Sequence, residues 1–232
     1  MNHLPGKSHV HAPCTTAVVA VATGDGIRRL FLSLGVQQIV TGGQSMNPST
    51  AQLLTAVEAC PSESVVLLPN NKNIIAVAEQ VADLTQKSVR VVPTRSIAEG
   101  LACAMQYDPE GPLDGNSEAM AAAAGSVTSG EVTVAVRDSV CDAGPIRAGD
   151  HLGITRDGGI VAVAASLTEA ATGLLAKIVT DEHEIVTLIE GDGATVADTR
   201  RISEWLSDHR SSVTIETHHG GQPLYPYLIS VE

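Results

Sequence analysis

Residues 17–41 read AVVAVATGDGIRRLFLSLGVQQIVT, and this stretch decides the fold. Its first six residues are an apolar run typical of a buried strand, which the Thr-Gly-Asp-Gly at 23–26 ends. Apolar residues at helical spacing follow over Ile27–Leu34, and Gly35 suits the position just after a helix. A second apolar run, Gln38–Thr41, predicts the next strand. The stretch is therefore predicted to form a strand–helix–strand unit.

The order of strand, polar loop and helix recurs along residues 17–108. Further strands are predicted at Ser64–Leu68 and Val89–Val92, each followed by a polar loop and a helix. Only 2% of the residues are aromatic and 44% are hydrophobic, so Val, Ile, Leu and Ala build the core, as is typical of parallel strands covered on both faces. Short, right-handed connections then predict a parallel four-stranded sheet with flanking helices.

The rest of the chain does not repeat the order of strand, polar loop and helix. A stretch rich in Pro, Gly and Asp at 108–117 (DPEGPLDGNS) predicts a boundary, and Arg156-Asp157-Gly158 predicts a hairpin turn. We therefore predict an α/β chain in three parts. A disordered or boundary segment at 1–16 precedes a parallel α/β subdomain at 17–108 and a mixed α+β subdomain at 118–232.

Composition narrows the class of function. The formal net charge is −12, from 14 basic and 26 acidic residues, which argues against a nucleic-acid partner because phosphate-backbone affinity needs a basic surface. Either solubility or a basic patch on a partner protein explains the acidity, and both remain open. There is no apolar run near the roughly 18 residues of a membrane span and no Cys-x-x-Cys pair. A cytoplasmic protein with reduced thiols and no membrane span is expected.

Polar loops follow the predicted parallel strands. Because the carboxyl ends of parallel strands meet at one edge of a sheet, where α/β proteins bind their ligands, we expect these loops to form one surface. The predicted ligand- or partner-binding residues on it are Thr23, Gly42, Gly43, Gln44, Ser45, Asn47, Ser49, Asn70, Asn71, Lys72, Thr94 and Arg95.

The segment Gly42–Ser49 (GGQSMNPS) is the most distinctive of these loops. Its two glycines permit close backbone approach, and its amide and hydroxyl side chains can donate and accept hydrogen bonds. The N–H groups at the start of the following helix favour an anion or a carbonyl oxygen. The same residues can equally shape the exit from the strand and cap the helix, and spacing alone does not separate these two interpretations.

The next two loops also carry alternatives. Pro69–Asn73 (PNNKN) offers Lys72 to a phosphate or carboxylate, with asparagines beside it to fix its orientation. Helix capping with a solvated lysine is the other interpretation, although a cap needs only one Asn. Thr94 and Arg95 follow the fourth strand, and Asp25 follows the first. Each also has an ordinary role as a cap, a turn residue or a surface charge.

Two other groups are interpreted as structural. Arg137 and Asp138 follow a predicted strand and are expected to form a buried ion pair that anchors a connection, with a place in a binding site as the alternative. Gly220-Gly221-Gln222 repeats the Gly-Gly-Gln of the loop at 42–44, and so short a repeat can arise by chance.

The eight histidines raise the question of a metal site. His9 and His11 lie near Cys14 in sequence, and His218 and His219 are adjacent. A zinc site needs three or four ligands from ordered elements, and nothing marks these two groups as neighbours. No metal site is predicted. The sequence also contains no P-loop, dinucleotide-binding glycine motif or nucleophile elbow, so it shows no self-contained catalytic motif.

Five short sequence strings occur in the same order as in one known family. Through them, residues 17–232 resemble the C-terminal region of the fatty acid kinase A subunit family, formerly described as dihydroxyacetone kinase-like or Dak phosphatase-like. The resemblance implies a DegV-like fold. The strings are GGQSMNPST at 42–50, LPNNKN at 68–73, VPTRS at 92–96, EVTVAVRD at 131–138 and GGQPLYPY at 220–227.

The resemblance also implies a function. Members of the family phosphorylate a fatty acid presented by a DegV-like fatty-acid-binding protein, using ATP and Mg²⁺ held by an N-terminal kinase domain. The 232 residues carry neither that kinase domain nor most of the middle domain, so we expect no cofactor in this chain. Docking and positioning of the partner beside the kinase domain is the role that the resemblance implies.

Two other functions remain open. One is a small-molecule-binding domain for a phosphate- or carboxylate-bearing ligand, with residual kinase- or phosphatase-type activity. The other is a homodimer formed through the second subdomain.

Overall fold

The structure is a computed structural model that describes residues 14–42 and 47–232. Within them the chain forms a four-stranded parallel sheet, a six-stranded mixed sheet and a two-stranded ribbon. The predicted α/β fold, with a parallel part followed by a mixed part, is confirmed. The predictions for residues 1–13, including His9 and His11, lie outside the described residues.

The first sheet and its helices come from the repeated unit. Their bounds are β1 (Thr16–Val21), α1 (Asp25–Ser33), β2 (Gln38–Val40), α2 (Thr50–Glu58), β3 (Ser64–Leu68), α3 (Ile75–Ala82), β4 (Ser88–Val91), α4 (Ile97–Met105) and α5 (Leu113–Ser126).

The second sheet, the ribbon and two helices follow. Their bounds are β5 (Thr128–Val134), β6 (Ser139–Cys141), β7 (Gly144–Ile146), β8 (His151–Thr155), β9 (Ile160–Ala164), α6 (Leu167–Ile178), β10 (Ile185–Glu190), α7 (Val196–His209), β11 (Thr214–His219) and β12 (Tyr227–Val231).

The parallel sheet has the strand order β2-β1-β3-β4. The chain moves outward from β1 to β2, then returns to the other side of β1 for β3, so a topological switch point lies between the carboxyl ends of β1 and β3. Helices α2 and α3 pack on one face of this sheet, and α1, α4 and α5 pack on the other. Every residue of β1 is buried as a result.

The mixed sheet has the order β11-β10-β12-β5-β8-β9, with β10 and β11 parallel and its other neighbours antiparallel. Helices α6 and α7 cover one face. From the other face, Ile189 and Leu228 enter the same core cluster as Ile27 and Phe31 of α1. The two sheets therefore share a core through the helices between them.

The region around the predicted boundary differs from expectation. The helix α5 begins inside the proline- and glycine-rich stretch at 108–117, and its Met120 and Ala124 are buried in the core of the first sheet. In packing, the first part of the chain therefore extends through α5. The Pro and Gly residues here form a turn and a helix start, which have the composition of a linker.

No helix within 14–42 and 47–232 has both the length and the apolar character that crossing a membrane requires.

Candidate functional site

A cavity of about 170 Å³ lies at the switch point of the parallel sheet. Both sheets contribute to its wall, so the cavity also lies at the junction of the two parts of the chain. Its lining comes from the ends of β1 and β3, the start of α4 and one end of the mixed sheet, and includes Val21–Thr23, Pro69–Ile74, Arg95–Ala98, Ser129–Glu131, Thr155, Arg156, Tyr225 and Leu228.

Asn70 holds the β3 side of the cavity together. It is buried and adopts a left-handed backbone with φ 56°, a conformation that Asn tolerates better than most residues. Its Nδ2 donates to the Val21 carbonyl at 2.9 Å, and its Oδ1 accepts from the Thr94 hydroxyl at 2.8 Å. The Thr94 Oγ1 in turn accepts from the Asn70 N–H at 2.9 Å. These bonds join the exits of β1, β3 and β4.

Gly100 makes room for this arrangement. A Cβ atom at that position would overlap the side chain of Asn70. The predicted site residues Asn70 and Thr94 therefore lie at the expected edge of the sheet. The hydrogen bonds of their side chains join the ends of the strands and so stabilise the fold.

A buried acid–base contact lies across the cavity wall. Glu99, in the first turn of α4, is only 1% exposed, and its Oε1 lies 2.7 Å from Nε of Arg156 in the β8–β9 turn. Its Oε2 accepts from the Arg95 N–H at 2.7 Å. Neither this nitrogen nor Glu99 Oε1 has a hydrogen bond within the part of the chain that the structure describes, so the angle between them is poor for one. The contact is therefore chiefly an ion pair between the two parts of the chain.

Three titratable side chains in the cavity wall come from different segments. Burial raises the pKa of the Glu131 carboxyl on β5, and the nearby Lys72 ammonium partly offsets this. Burial, followed by the charge of Glu131, raises the pKa of the Tyr225 phenol. Lys72 itself is exposed, and a Cβ atom built on Gly158 would lie 2.9 Å from its Nζ, which places the ammonium against the β8–β9 turn.

The other predicted edge residues are more exposed. Thr23 is half-buried and lines the cavity, and Asn71 accepts from the Asn73 N–H at 2.9 Å. The Arg95 guanidinium lies 3.6 Å from Asp157, but both side chains are exposed, so this pair contributes little to stability.

The Gly42–Ser49 loop is described only at its two ends. Ser49 is the N-cap of α2, because its Oγ accepts from the Gln52 N–H at 3.3 Å while Gln52 Oε1 accepts from the Ser49 N–H at 2.9 Å. Asn47 is exposed and Gly42 is half-buried. The predictions for Gly43, Gln44 and Ser45 lie outside the described residues.

The segment Gly220-Gly221-Gln222 connects the mixed sheet to α1, the first helix of the parallel part. The Gly220 carbonyl accepts from the N–H groups of Gly26 and Ile27 at 2.9 and 3.1 Å, which occupies the N-terminus of α1. Any side chain at Gly26 would collide with the His219 carbonyl. Gln222 is buried, and its Nε2 donates to the carbonyls of Ile189 and Tyr225 at 3.1 and 3.0 Å.

Arg137 and Asp138 do not form the expected buried ion pair. Both are exposed, because β5 ends at Val134 and the chain then leaves the sheet. Asp138 still anchors the connection, since its Oδ1 accepts from the Ala148 N–H at 2.8 Å.

One end of the mixed sheet carries exposed apolar side chains. Eight large apolar residues are exposed in the described part of the chain. Three of them (Leu32, Leu84 and Met105) lie near the C-terminal ends of helices of the parallel sheet. The other five lie where β5, β10 and β11 end and β12 begins, which is also the end that meets α1. These five, here called the apolar end, are Val134, Val136, Val140, Val196 and Leu224.

Sequence reasoning missed Glu99, Arg156 and, as site residues, Glu131 and Tyr225. Glu131, the one charged residue of β5 (TSGEVTV), was the one available signal. The importance of the other three follows from contacts between segments that are far apart in sequence, which no local pattern reports.

Comparison with known proteins gives one family. The model of the C-terminal region of fatty acid kinase A-subunit-like proteins matches residues 17–232. An uncharacterised protein of Staphylococcus haemolyticus is 38% identical over 232 residues, 100% of this chain and 42% of that protein. An uncharacterised protein of Staphylococcus aureus strain MRSA252 is 37% identical over 217 residues, 94% of this chain and 39% of that protein. The chain spans about two fifths of the length of these curated relatives.

Solved structures share the fold. A DegV family protein from Corynebacterium glutamicum superposes with a TM-score of 0.67 at 16% identity, covering 94% of this chain and 96% of that one. The dihydroxyacetone kinase of C. freundii gives 0.68 at 15% identity, with 96% and 48% covered. The Streptococcus pneumoniae fatty acid kinase B3 protein, loaded with linoleic acid, gives 0.56 at 11% identity, with 94% and 98% covered. At these identities the likeness establishes a DegV-like fold and nothing further.

Proposed function

Because the chain belongs to the family of C-terminal regions of fatty acid kinase A-subunit-like proteins, we propose that it is a docking and positioning domain. Its partner is a DegV-like fatty-acid-binding protein of the class that the S. pneumoniae B3 protein represents. ATP-dependent phosphorylation of the bound fatty acid, in the cytoplasm, belongs to a kinase domain in another part of the parent protein. The chain thus holds the acyl-carrying partner where that domain can reach it.

The apolar end is the observation that carries this proposal. Val136, Val140 and Leu224 are 91%, 79% and 64% exposed. The Leu224 carbonyl accepts from the Thr133 hydroxyl at 2.8 Å, which places Leu224 beside the end of β5, and the chain continues from that end to Val136 and Val140. Exposed large apolar side chains that lie together mark an interaction site. Leu224 also holds a left-handed backbone with φ 70°. This conformation is costly for a residue without a local hydrogen bond from its side chain, and the exposed leucine gains little burial in return. Contact with a partner is the role that accounts for both features.

The cavity is too small for ATP. Its volume of about 170 Å³ is below the range of roughly 300–1,000 Å³ typical of ligand pockets. We therefore assign no phosphoryl-transfer step to the residues that line it.

A matched pair of substitutions tests the docking surface. Leu224 and Leu84 are 64% and 59% exposed, but Leu84 lies just after α3 and outside the apolar end. Leu224→Glu is expected to weaken binding to a fatty-acid-loaded DegV-like protein at least tenfold, because it introduces a charge into an apolar contact. Leu84→Glu is expected to leave the Kd within twofold. Calorimetric titration gives both values.

Two controls complete the experiment. Thermal unfolding must show that both variants are folded, and light scattering of the chain alone shows whether the apolar end joins two copies. The proposal fails if the wild-type chain does not bind at roughly 50 µM, which is weak for a specific interface, or if both glutamate variants bind equally well. A homodimer that Leu224→Glu disrupts, without binding to the partner, would likewise contradict it.

A further inference from the structure

We propose that the cavity at the β1–β3 switch point binds a compact oxyanion, a carboxylate or phosphate group, through Lys72, Tyr225 and Glu131, with uptake of one proton by Glu131. This site is separate from the apolar end, and the proposal does not depend on docking. The chemistry and the size of the cavity identify the class of ligand.

Three titratable groups of the cavity wall are available to a ligand. The side chains of Asn70 and Thr94 bond to each other, Glu99 faces Arg156, and the Ser129 hydroxyl donates to Ser96 Oγ at 3.1 Å. In the described part of the chain, the Lys72 ammonium, the Glu131 carboxyl and the Tyr225 hydroxyl have neither a hydrogen bond nor an ion pair. All three line the cavity, so they are the titratable groups available for recognition.

The charge of the cavity wall favours an anion. The wall also contains Arg95, which faces Asp157, and Arg156, which faces Glu99, so these two cations are each balanced by a carboxylate. Lys72 has no ion pair in the described part of the chain, and burial favours the neutral form of Glu131, the carboxyl whose charge it would otherwise offset. The ammonium therefore attracts an anion to this edge. Tyr225 keeps its proton because its pKa is raised, and its hydroxyl is therefore a donor to the same anion.

Glu131 takes up a proton when the anion binds. An anion bound between Lys72 and Glu131 would face a second negative charge if this carboxyl were ionised, and two close carboxylates in a partly buried site do not both ionise. Burial already raises the pKa of Glu131 in the empty cavity. A protonated Glu131 becomes a third hydrogen-bond donor to the anion, so binding and proton uptake are coupled.

The volume of the cavity limits the size of the ligand. A protein cavity of about 150 Å³ accommodates a molecule with six heavy atoms, so the observed volume of about 170 Å³ fits a carboxylate or phosphate with a small substituent. A complete long acyl chain is too large for it. The anion is either a free small molecule or the head of a larger ligand whose remainder stays outside the cavity.

Calorimetric titration of the 232-residue chain, without any partner protein, tests the proposal. The probes are acetate, inorganic phosphate and palmitate, at pH 6 and pH 8. Saturable binding of acetate or phosphate identifies a free anion, and saturable binding of palmitate alone identifies the head of a fatty acid. The proposal is overturned if none of the three binds saturably.

Variants tie the binding to the three residues. Lys72→Ala is expected to weaken binding at least tenfold, whereas Lys177→Ala, which removes an exposed lysine of α6 that does not line the cavity, changes it less than twofold. Glu131→Gln keeps a neutral donor and is expected to bind at both pH values with nearly equal affinity. Equal affinities for Lys72→Ala and the wild-type chain would exclude the proposed site.

Proton uptake provides an independent readout. Titrations in two buffers of different ionisation enthalpy give the number of protons taken up, which is expected to be positive for the wild-type chain and close to zero for Glu131→Gln. Above the pKa of Glu131, the wild-type affinity is expected to fall by up to tenfold per pH unit. Binding without proton uptake, or with the same uptake in Glu131→Gln, would refute the role of this carboxyl.

Discussion

Asn70 and Leu224 adopt the same unusual backbone, with φ 56° and 70°, for different reasons. Asn70 is buried, and its side chain supplies hydrogen bonds that favour this conformation. Leu224 has no polar side chain and is mostly exposed. At the scale of single residues, the left-handed Asn70 stabilises the fold, while we assign the left-handed Leu224 to partner binding.

Asn70→Ala is expected to reduce the free energy of unfolding by about 3 kcal/mol or more. The substitution leaves the Val21 carbonyl and the Thr94 hydroxyl unsatisfied in a buried place, and it puts Ala in a left-handed conformation. Urea denaturation measures the change. Asn71→Ala is the control, since Asn71 is less buried and accepts a single bond from Asn73. Equal losses in the two variants would contradict the structural role of Asn70.

Glu131 makes stability depend on pH. In the unfolded chain its carboxyl titrates near the ordinary value of 4.5, while burial raises its pKa in the folded state. The folded state therefore binds this proton more tightly, and the free energy of unfolding falls as pH rises from about 4.5 through the folded pKa.

Glu131→Gln cannot show this loss. Its melting temperature, relative to that of the wild-type chain, is expected to increase as the pH is raised from 4 to 8. Thermal unfolding over that range provides the measurement. A difference between the two proteins that stays constant with pH would show that Glu131 does not have a raised pKa.

At the scale of elements, a strong apolar pattern was sufficient to predict the bounds of a helix or a strand. The apolar patterns of residues 167–178, 185–190 and 196–209 predict a helix, a strand and a helix, and the structure has α6, β10 and α7 with those bounds. Burial of one face enforces the pattern in each of them. The strands β6 and β7 were not predicted. Each has only three residues, which are too few to show a repeating apolar pattern, and the two strands are stabilised by pairing with each other across the ribbon.

Helix α2 ends without a basic residue in its last turn, and a distant lysine supplies the charge. Lys87 Nζ donates to the carbonyls of Val57, Cys60 and Ser62 at 3.2, 2.7 and 3.1 Å. A cation at a helix C-terminus interacts favourably with the exposed carbonyl groups. No pattern in residues 50–58 predicts this contact.

Lys87→Met is expected to lower the free energy of unfolding by about 1–2 kcal/mol, because these carbonyls lose their cation. Lys87→Arg should not restore it fully, since a planar guanidinium cannot replace a compact ammonium among several carbonyls. Chemical denaturation tests both. Arg90→Met, which breaks an exposed pair with Asp114, is the control and should cost less than about 1 kcal/mol. A cost for Lys87→Met no larger than this control would argue against the cap.

At the scale of the whole molecule, the packing of the two sheets creates the site. Glu99 lies on helix α4, which packs against the parallel sheet, and Arg156 lies in the β8–β9 turn of the mixed sheet. Neither residue is marked by its own local sequence. Lys72 and Glu131 approach one cavity for the same reason. The predicted edge lies where the connectivity of the parallel strands required it. Thr23 and Lys72 line one cavity there, and Thr94 is hydrogen-bonded to Asn70 in the same wall. The opposite wall was not predicted, because it depends on how the mixed sheet docks.

Breaking the Glu99–Arg156 contact tests the junction of the sheets. Arg156→Met leaves the buried Glu99 carboxylate without its cation and is expected to cost about 3 kcal/mol. The double variant Glu99→Gln with Arg156→Met removes both charges and should recover much of that loss. A double-mutant cycle by urea denaturation measures the coupling. Additive effects of the two single changes would show that the residues do not interact.

The sequence by itself determined the parallel strands, their helices and the polar edge where their loops meet, because the spacing of apolar residues and the length of connections act locally. It also carried the strings that resemble the family now matched over residues 17–232. Only the tertiary structure decided that Asn70 is bonded into the fold, that Lys72 shares a cavity with Glu131 and Tyr225, and that five exposed apolar residues gather at one end. These properties depend on burial and on contacts between distant segments, which arise only when the two sheets pack together.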